Sequence, residues 1–179
     1  MPIKKITLIS TCTYPSDQGI RTISSVLKKT GYDVKIVFMT LSEDYSRNYD
    51  KSELSPLKEL CKNSLFIGIN AFASTAERAE KIISYLKQTI PNIPIIYGGV
   101  HPTINPGDCI KHNNIICIGE AENAILDFAR AIEKGKSIDK IKNLWLRKDN
   151  KIIKNPARNL IDNLDELPFL DFDIEDHFI

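Results

Sequence analysis

Two glycine-bearing stretches hold the residues best suited to chemistry, Tyr97-Gly98-Gly99-Val100-His101-Pro102-Thr103 and Gly119-Glu120-Ala121-Glu122. Paired glycines directly after an apolar run let the backbone approach a bulky planar ligand that side chains would keep out, or they relieve a tight turn at positive φ. On the residues alone both readings stand. The second stretch sets backbone amides and two carboxylates at a helix start, where the dipole favours negative charge, and helix capping explains it equally well. Neither glutamate has a partner that would make it a general acid or base. Asn70-Ala71-Phe72-Ala73-Ser74-Thr75 offers small residues, two hydroxyls and one ring, enough to line a slot for an apolar ring system and bond its polar rim. Ser74 or Thr75 would also serve as a helix cap. His101 is a single loop imidazole followed by proline and reads as a hydrogen-bonding group, while His112 and His177 read as solvated.

These stretches can meet only if the segments before them lie side by side. Ile3 to Ser10 is a short apolar run that reads as a buried strand, and the turn-forming Thr11 to Gly19 follows as a loop. Ile20, Ile23, Val26 and Leu27 then recur at helical spacing until Gly31. The unit repeats through strands at Asp33 to Met39, Ser64 to Asn70, Pro94 to Tyr97 and Asn114 to Ile118, with helices at Leu54 to Cys61, Ala79 to Leu86 and Ile125 to Ile132. Alternation of this kind predicts an α/β fold, a doubly wound, flavodoxin-like five-stranded parallel sheet with helices on both faces. Such a sheet gathers the four loops at the carboxyl ends of its strands, where ligands bind. After this domain, over residues 1–140, the polar turn Lys148-Asp149-Asn150 predicts a β-hairpin over 141–155, and 156–179 reads as a linker.

Composition narrows the function classes. A net charge of +1 across 179 residues gives no electrostatic reason for nucleic acid as a partner. No apolar run reaches the 18 or so residues of a spanning helix, so no membrane partner and a cytoplasmic location are expected. Cys12, Cys61, Cys109 and Cys117 lack the Cys-x2-Cys pairing of zinc sites and read as free thiols, Cys12 nearest any ligand, so no metal ligands are assigned. There is no Gly-x-Ser-x-Gly elbow, no phosphate loop and no Gly-x-Gly-x2-Gly after the first strand.

At Gly98-Gly99-Val100-His101-Pro102-Thr103 and Gly119-Glu120-Ala121-Glu122 the chain resembles the amino-terminal cobalamin-binding domain of cobalamin-dependent radical S-adenosylmethionine enzymes. That family carries Gly-Gly-x-His-Pro-Thr after its fourth strand and Gly-Glu-Gly-Glu after its fifth, with Ala121 the one departure here. Leu164-Asp165-Glu166-Leu167-Pro168-Phe169-Leu170-Asp171 is similar to the linker leading into the radical domain. The resemblance implies a corrin ring over the strand ends and a nucleotide tail descending into a groove beside the sheet. It also implies cofactor contacts at Thr13, Tyr14, Gly19 and Ile20 in the first loop, and at Asn70, Ala71, Phe72, Ser74 and Thr75 after the third strand. Further implied contacts are Gly98, Gly99, Val100 and His101, then Gly119, Glu120 and Ala121.

The family relation further implies base-off cobalamin without a histidine ligand, since no histidine precedes His101. The iron–sulfur cluster and S-adenosylmethionine belong to a radical domain whose Cys-x3-Cys-x2-Cys set is absent from this sequence. The chain alone is therefore expected to bind cofactor without turnover, within a methyltransferase or cyclase-type parent, and its oligomeric state stays open. Two other readings share the fold: a cofactor-free interaction domain, and a flavin mononucleotide-binding domain, against which the sparse Ser/Thr content of the first loop counts.

Overall fold

The apolar runs become strands because both faces of the sheet are covered. Ile6, Leu8 and Ile9 on one strand are each no more than 1% exposed, as a strand buried on both sides requires. The computed structural model describes residues 4–12, 14–39, 47–149 and 151–178. The first half of the chain runs β1 (Lys5–Ser10), α1 (Gln18–Lys29), β2 (Asp33–Phe38), α2 (Lys51–Leu54), α3 (Leu57–Cys61), β3 (Ile67–Asn70) and α4 (Ala76–Thr89). The second half runs β4 (Ile95–Gly98), α5 (Val100–Ile104), α6 (Pro106–His112), β5 (Ile115–Cys117), α7 (Glu122–Glu133), β6 (Leu144–Lys148), β7 (Lys151–Lys154) and β8 (His177–Phe178).

The eight strands among the described residues join one sheet in the order β7-β6-β5-β4-β3-β1-β2-β8. Its inner five, β2-β1-β3-β4-β5, are parallel. The hairpin β6–β7 extends the β5 edge in antiparallel fashion. The chain steps from β1 to β2 on one side and to β3 on the other, and the crevice at that reversal is where this architecture receives ligands.

Strand alternation sorts the core into two clusters. Ile9, Ile67, Ile69 and Tyr97 pack with α4 through Ala79, Ile82 and Leu86. Leu8, Ile36, Ile96 and Cys117 face α1 and α7 through Ile20, Leu27, Ile125 and Phe128. The rings of Phe66 and Phe128 meet edge to face at 5.0 Å, tying α7 to the sheet.

Three segments differ from the sequence expectation, the first being the helix read over Leu54 to Cys61, which breaks at Ser55 and Pro56 into α2 and α3 because proline cannot continue the first helix. Val100 to Thr103, read as loop, forms most of the short helix α5. Gly99, at φ +101°, turns the chain back so that the His101 amide donates to the Ala71 carbonyl at 3.1 Å and the Asn105 amide to the His101 carbonyl at 2.9 Å. The segment 156–179, read as a linker, docks on the sheet and adds β8 beside β2. Asp171 is its anchor: it is 7% exposed, accepts from Ser24 Oγ at 2.5 Å and pairs with Lys28 at 3.0 Å. Local sequence carries no sign of this, because Ser24 lies 147 residues away and Lys28 only one helical turn beyond it.

The docking is pH-dependent with a defined sign. Burial alone would raise the Asp171 carboxyl, but the Ser24 hydroxyl and Lys28 ammonium hold it below the ordinary value of 3.8. Asp176 is held down by Lys28 and Lys35. Burial opposes the Lys28 charge, yet Asp176 and Asp171 raise it above 10.5. The carboxylates thus contribute above their ordinary pKa and fail as pH falls through the lowered ones, while the lysines contribute until strongly alkaline pH. His177 is lowered from 6.5, mainly by burial, so it weakens docking first on acidification, when only the released tail takes up its proton. Amide exchange at residues 171–178, corrected for intrinsic rates, is expected to rise below about pH 6.5. Unchanged protection down to about pH 5 would contradict this.

Candidate functional site

A buried carboxylate organises the crevice floor. Asp17 is 5% exposed and caps α1 through Oδ1, which accepts the Ile20 amide at 3.1 Å. Its Oδ2 accepts from Ser10 Oγ and from Asn70 Nδ2, both at 2.6 Å, joining the ends of β1 and β3. The helix amino terminus and these donors replace the counter-cation a buried acid otherwise needs. Cys12 Sγ also lies 3.6 Å from Asp17 Oδ2. Burial, and then the Asp17 charge, push its thiol up to about 11, so it stands protonated as a donor at neutral pH rather than as a nucleophile.

The Gly-Gly turn packs against this floor. A Cβ on Gly99 would fall 1.9 Å from Asn70 Oδ1 and 2.8 Å from the Ala71 carbonyl, so only glycine fits. Thr103, one turn on, donates to the Gly99 carbonyl at 2.8 Å and accepts the Gly119 amide at 3.0 Å. One hydroxyl therefore binds the two glycine turns together. Gly119 takes φ +69° and abuts Asn143, whose own amide donates to the Ile118 carbonyl at 2.8 Å. Thr75 sits at the N-cap of α4 without a side-chain bond to that helix: its Oγ1 accepts from Thr11 Oγ1 at 2.7 Å and from the Phe72 amide at 3.1 Å, fixing the loop after β3.

Two cavities result, and they share the edge formed by Gly19, Asn70, Gly99, Gly119 and Glu120. The upper one is an open cleft of about 700 Å³ over the strand ends, walled by Cys12, Asp17, Phe72, Val100 and Thr103, with Leu160 at its rim. The lower one is an apolar slot of about 180 Å³ running down between the sheet and the α1–α7 face, past Leu8, Ile23, Gly68, Ile96, Gly98 and Ile125. The slot exists because two neighbouring strands lack side chains there. Gly68 pairs with Leu8 and Ile96, and a Cβ on it would meet Leu8 Cδ2 at 2.8 Å. A Cβ on Gly98 would sit 3.7 Å from that of Cys117, an ordinary contact that turns a larger side chain into the slot.

Of the residues singled out in the sequence, Gly19, Asn70, Gly99, Gly119 and Glu120 line both cavities. Ile20, Gly98 and Ala121 line the slot, and Phe72 and Val100 the cleft. Ala71 and Thr75 are buried behind the wall, where they position it. Tyr14 and Ser74 are exposed and line neither cavity, and Thr13 lies outside the described residues. His101 also lines neither, its ring standing near Glu80 and Asp108 instead. Glu120 spends its carboxylate on structure, accepting the Ile161 amide at 2.7 Å and so tying the tail to the cleft. Sequence reasoning missed Leu8, Ile23, Gly68, Ile125 and Leu160; for Gly68 the signal was a glycine inside an apolar strand, a mark of close approach by a ligand or another backbone.

The cavities suit a large planar ring carrying an apolar appendage. The cleft offers glycine backbone, a fixed amide and apolar edges, and the slot accepts a flat group that Cβ atoms would exclude. Among the described residues no histidine lines either cavity.

Comparison with known proteins agrees. The model of the B12 binding domain family matches residues 4–129. An anaerobic magnesium-protoporphyrin IX monomethyl ester cyclase of Synechocystis sp. is 25% identical over 150 residues, 82% of this chain and 29% of that protein. An uncharacterized methyltransferase of Pyrococcus horikoshii is 26% identical over 161 residues, 87% of this chain and 33% of its own length. The chain thus spans about a third of these relatives or less. Among solved structures, the radical S-adenosylmethionine methyltransferase TsrM from Kitasatospora setae, with cobalamin and a [4Fe-4S] cluster bound, superposes with a TM-score of 0.73 at 14% identity over 92% of this chain and 31% of its own. The cobalamin-dependent radical enzyme OxsB, with aqua-cobalamin and S-adenosylmethionine bound, reaches 0.76 at 19% identity over 97% of this chain and 25% of its own. With the family model spanning the slot, every inner strand and all of the cleft lining but Leu160, this chain belongs to the B12 binding domain family.

Proposed function

We propose that this chain holds cobalamin base-off and without a protein histidine ligand, as the cofactor-binding part of a larger radical S-adenosylmethionine methyltransferase or cyclase-type protein. In this reading residues 1–140 bind the cofactor, 141–155 are a hairpin extension and 156–179 lead toward the radical domain that carries the iron–sulfur cluster and S-adenosylmethionine. When bound, cobalamin supplies cobalt-centred alkyl-transfer and redox chemistry.

The observation that carries the proposal is the slot opened by Gly68 and Gly98 directly beneath the cleft. A planar ring alone needs only a cleft, whereas a ring with a nucleotide tail needs both. Around the ring, Phe72 and Val100 offer apolar edges and the Gly99 and Gly119 turns offer backbone at close range. Below it, Asn70 presents an amide held by Asp17, a neutral group that cannot replace imidazole as a strong nitrogen ligand.

The finer reading is tested by electron paramagnetic resonance of the bound cob(II)alamin form. The expected spectrum is that of base-off cobalt without nitrogen superhyperfine splitting. A three-line nitrogen splitting that stays three-line when the tail base carries 15N would mean a protein nitrogen ligand and overturn the histidine-free assignment.

A further inference from the structure

Behind the cleft wall, on the opposite face of the sheet from the slot, α4 and α6 bring three metal-ligating side chains together. Glu80 Oε2 lies 3.5 Å from His112 Nδ1, and Asp108 Oδ2 lies 3.9 Å from His112 Nε2. One ligand atom from each of the three residues can be chosen so that all lie within 4.8 Å of one another. Asp108 and His112 stand four residues apart on α6 and so share a face, with Glu80 supplied by the packed helix.

The cluster is short of positive charge. The Glu80 side chain is only 22% exposed, and among the described residues its one ion-pair partner is His112, at 3.5 Å. Asp108 gives its Oδ1 to Lys111 at 3.0 Å, which leaves Oδ2 turned toward His112. Two further polar groups stand nearby. The Tyr97 hydroxyl belongs to a residue with no exposed surface and meets the Cys109 thiol, with Glu80 and Asp108 among its electrostatic neighbours. His101 Nδ1 is buried and has no hydrogen-bond partner. A metal-bound water is the kind of group that would satisfy a buried, unpartnered ring nitrogen.

We propose that Glu80, Asp108 and His112 form a site for one divalent transition-metal ion, with Zn2+ the best match to one imidazole and two carboxylates. The ion would staple α6 to α4 behind α5, whose Val100 forms part of the cleft wall. Bonds of about 2.0–2.2 Å place ligand atoms about 3.4 Å apart, so separations of up to 4.8 Å would close by as much as about 1.4 Å through side-chain rotation. The cysteine pattern gave no hint of this set because its ligands come from two helices, one of them a short one.

The test is calorimetric titration of the chelator-treated chain with Zn2+, paired with thermal melting and with the absorption spectrum of the Co2+ form. One equivalent should bind, the melting temperature should rise, and both effects should weaken about tenfold or more in His112→Ala and in Glu80→Gln. Cys12→Ser should bind Zn2+ as the parent does, which separates this site from the thiol in the cleft. His112 is 40% exposed, so its truncation leaves the fold intact and decides the matter even where Glu80→Gln does not fold. No uptake by the parent chain, or equal uptake by parent and His112→Ala, would overturn the proposal. None of these readouts involves cobalamin, so this site and the cofactor reading fail separately.

Discussion

Gly98→Ile is expected to give a folded chain that binds cobalamin about a hundredfold more weakly, about 2.7 kcal/mol, yet still takes up cobinamide, the corrinoid lacking the nucleotide tail. The backbone tolerates the change: Gly98 is not at positive φ, and its added Cβ meets Cys117 at 3.7 Å. The remaining carbons enter a slot of only about 180 Å³ and occupy the room the tail needs. The cleft above, walled by Asp17, Phe72 and Val100, is untouched. Paired titrations with the two corrinoids check this. Equal losses for both would mean that the slot does not receive the tail, and no loss for either would mean that Gly98 lies off the binding path.

Gly99→Ala is expected to act one residue away by a different route. Its Cβ would overlap Asn70 Oδ1 at 1.9 Å and crowd the Ala71 carbonyl at 2.8 Å, at a φ of +101° that L residues rarely adopt. The amide of Asn70 cannot move without breaking its bond to Asp17, and the Ala71 carbonyl cannot move without losing the His101 amide. The cost should be about 3 kcal/mol or more of unfolding free energy, read from the urea midpoint, with corrinoid affinity lost in whatever remains folded. Gly98→Ala, with ordinary contacts, should stay within about 1 kcal/mol of the parent. If the two alanine variants proved equally stable, the close packing of Gly99 on Asn70 would be refuted.

The neighbouring glycines show how far the sequence could be read. Strand ends, loop positions and the parallel core follow from apolar runs punctuated by turn residues, because inner strands covered on both faces must be continuously apolar. The glycine pair was visible, but its two members do different things. Gly99 answers to backbone geometry, while Gly98 answers to empty space beside Cys117. That division depends on strand register, which no local pattern encodes.

The same limit explains Gly68. In Leu65-Phe66-Ile67-Gly68-Ile69 it looks like a gap in a strand, and it opens a slot only because Leu8 and Ile96 stand on either side of it. Asp17 reads as a turn acid until β1 and β3 become neighbours and place Ser10 and Asn70 against it. The tail was hardest to see. Its prolines and acids suggest a linker, whereas the Asp171 carbonyl accepts from Arg21, 150 residues earlier, at 2.5 Å. Arg21 also donates to the Pro15 carbonyl at 2.6 Å, so the docked tail braces the loop at the rim of the cleft.

The central claim is that cleft and slot together hold one intact cobalamin. Its most direct test is absorption spectroscopy of the chain after incubation with methylcobalamin and passage through a desalting column at neutral pH. The account predicts corrin absorption eluting with the protein at one equivalent, with the spectrum shifted to the base-off form. A folded chain that elutes colourless, or carries the cofactor with its tail base still on cobalt, would contradict it.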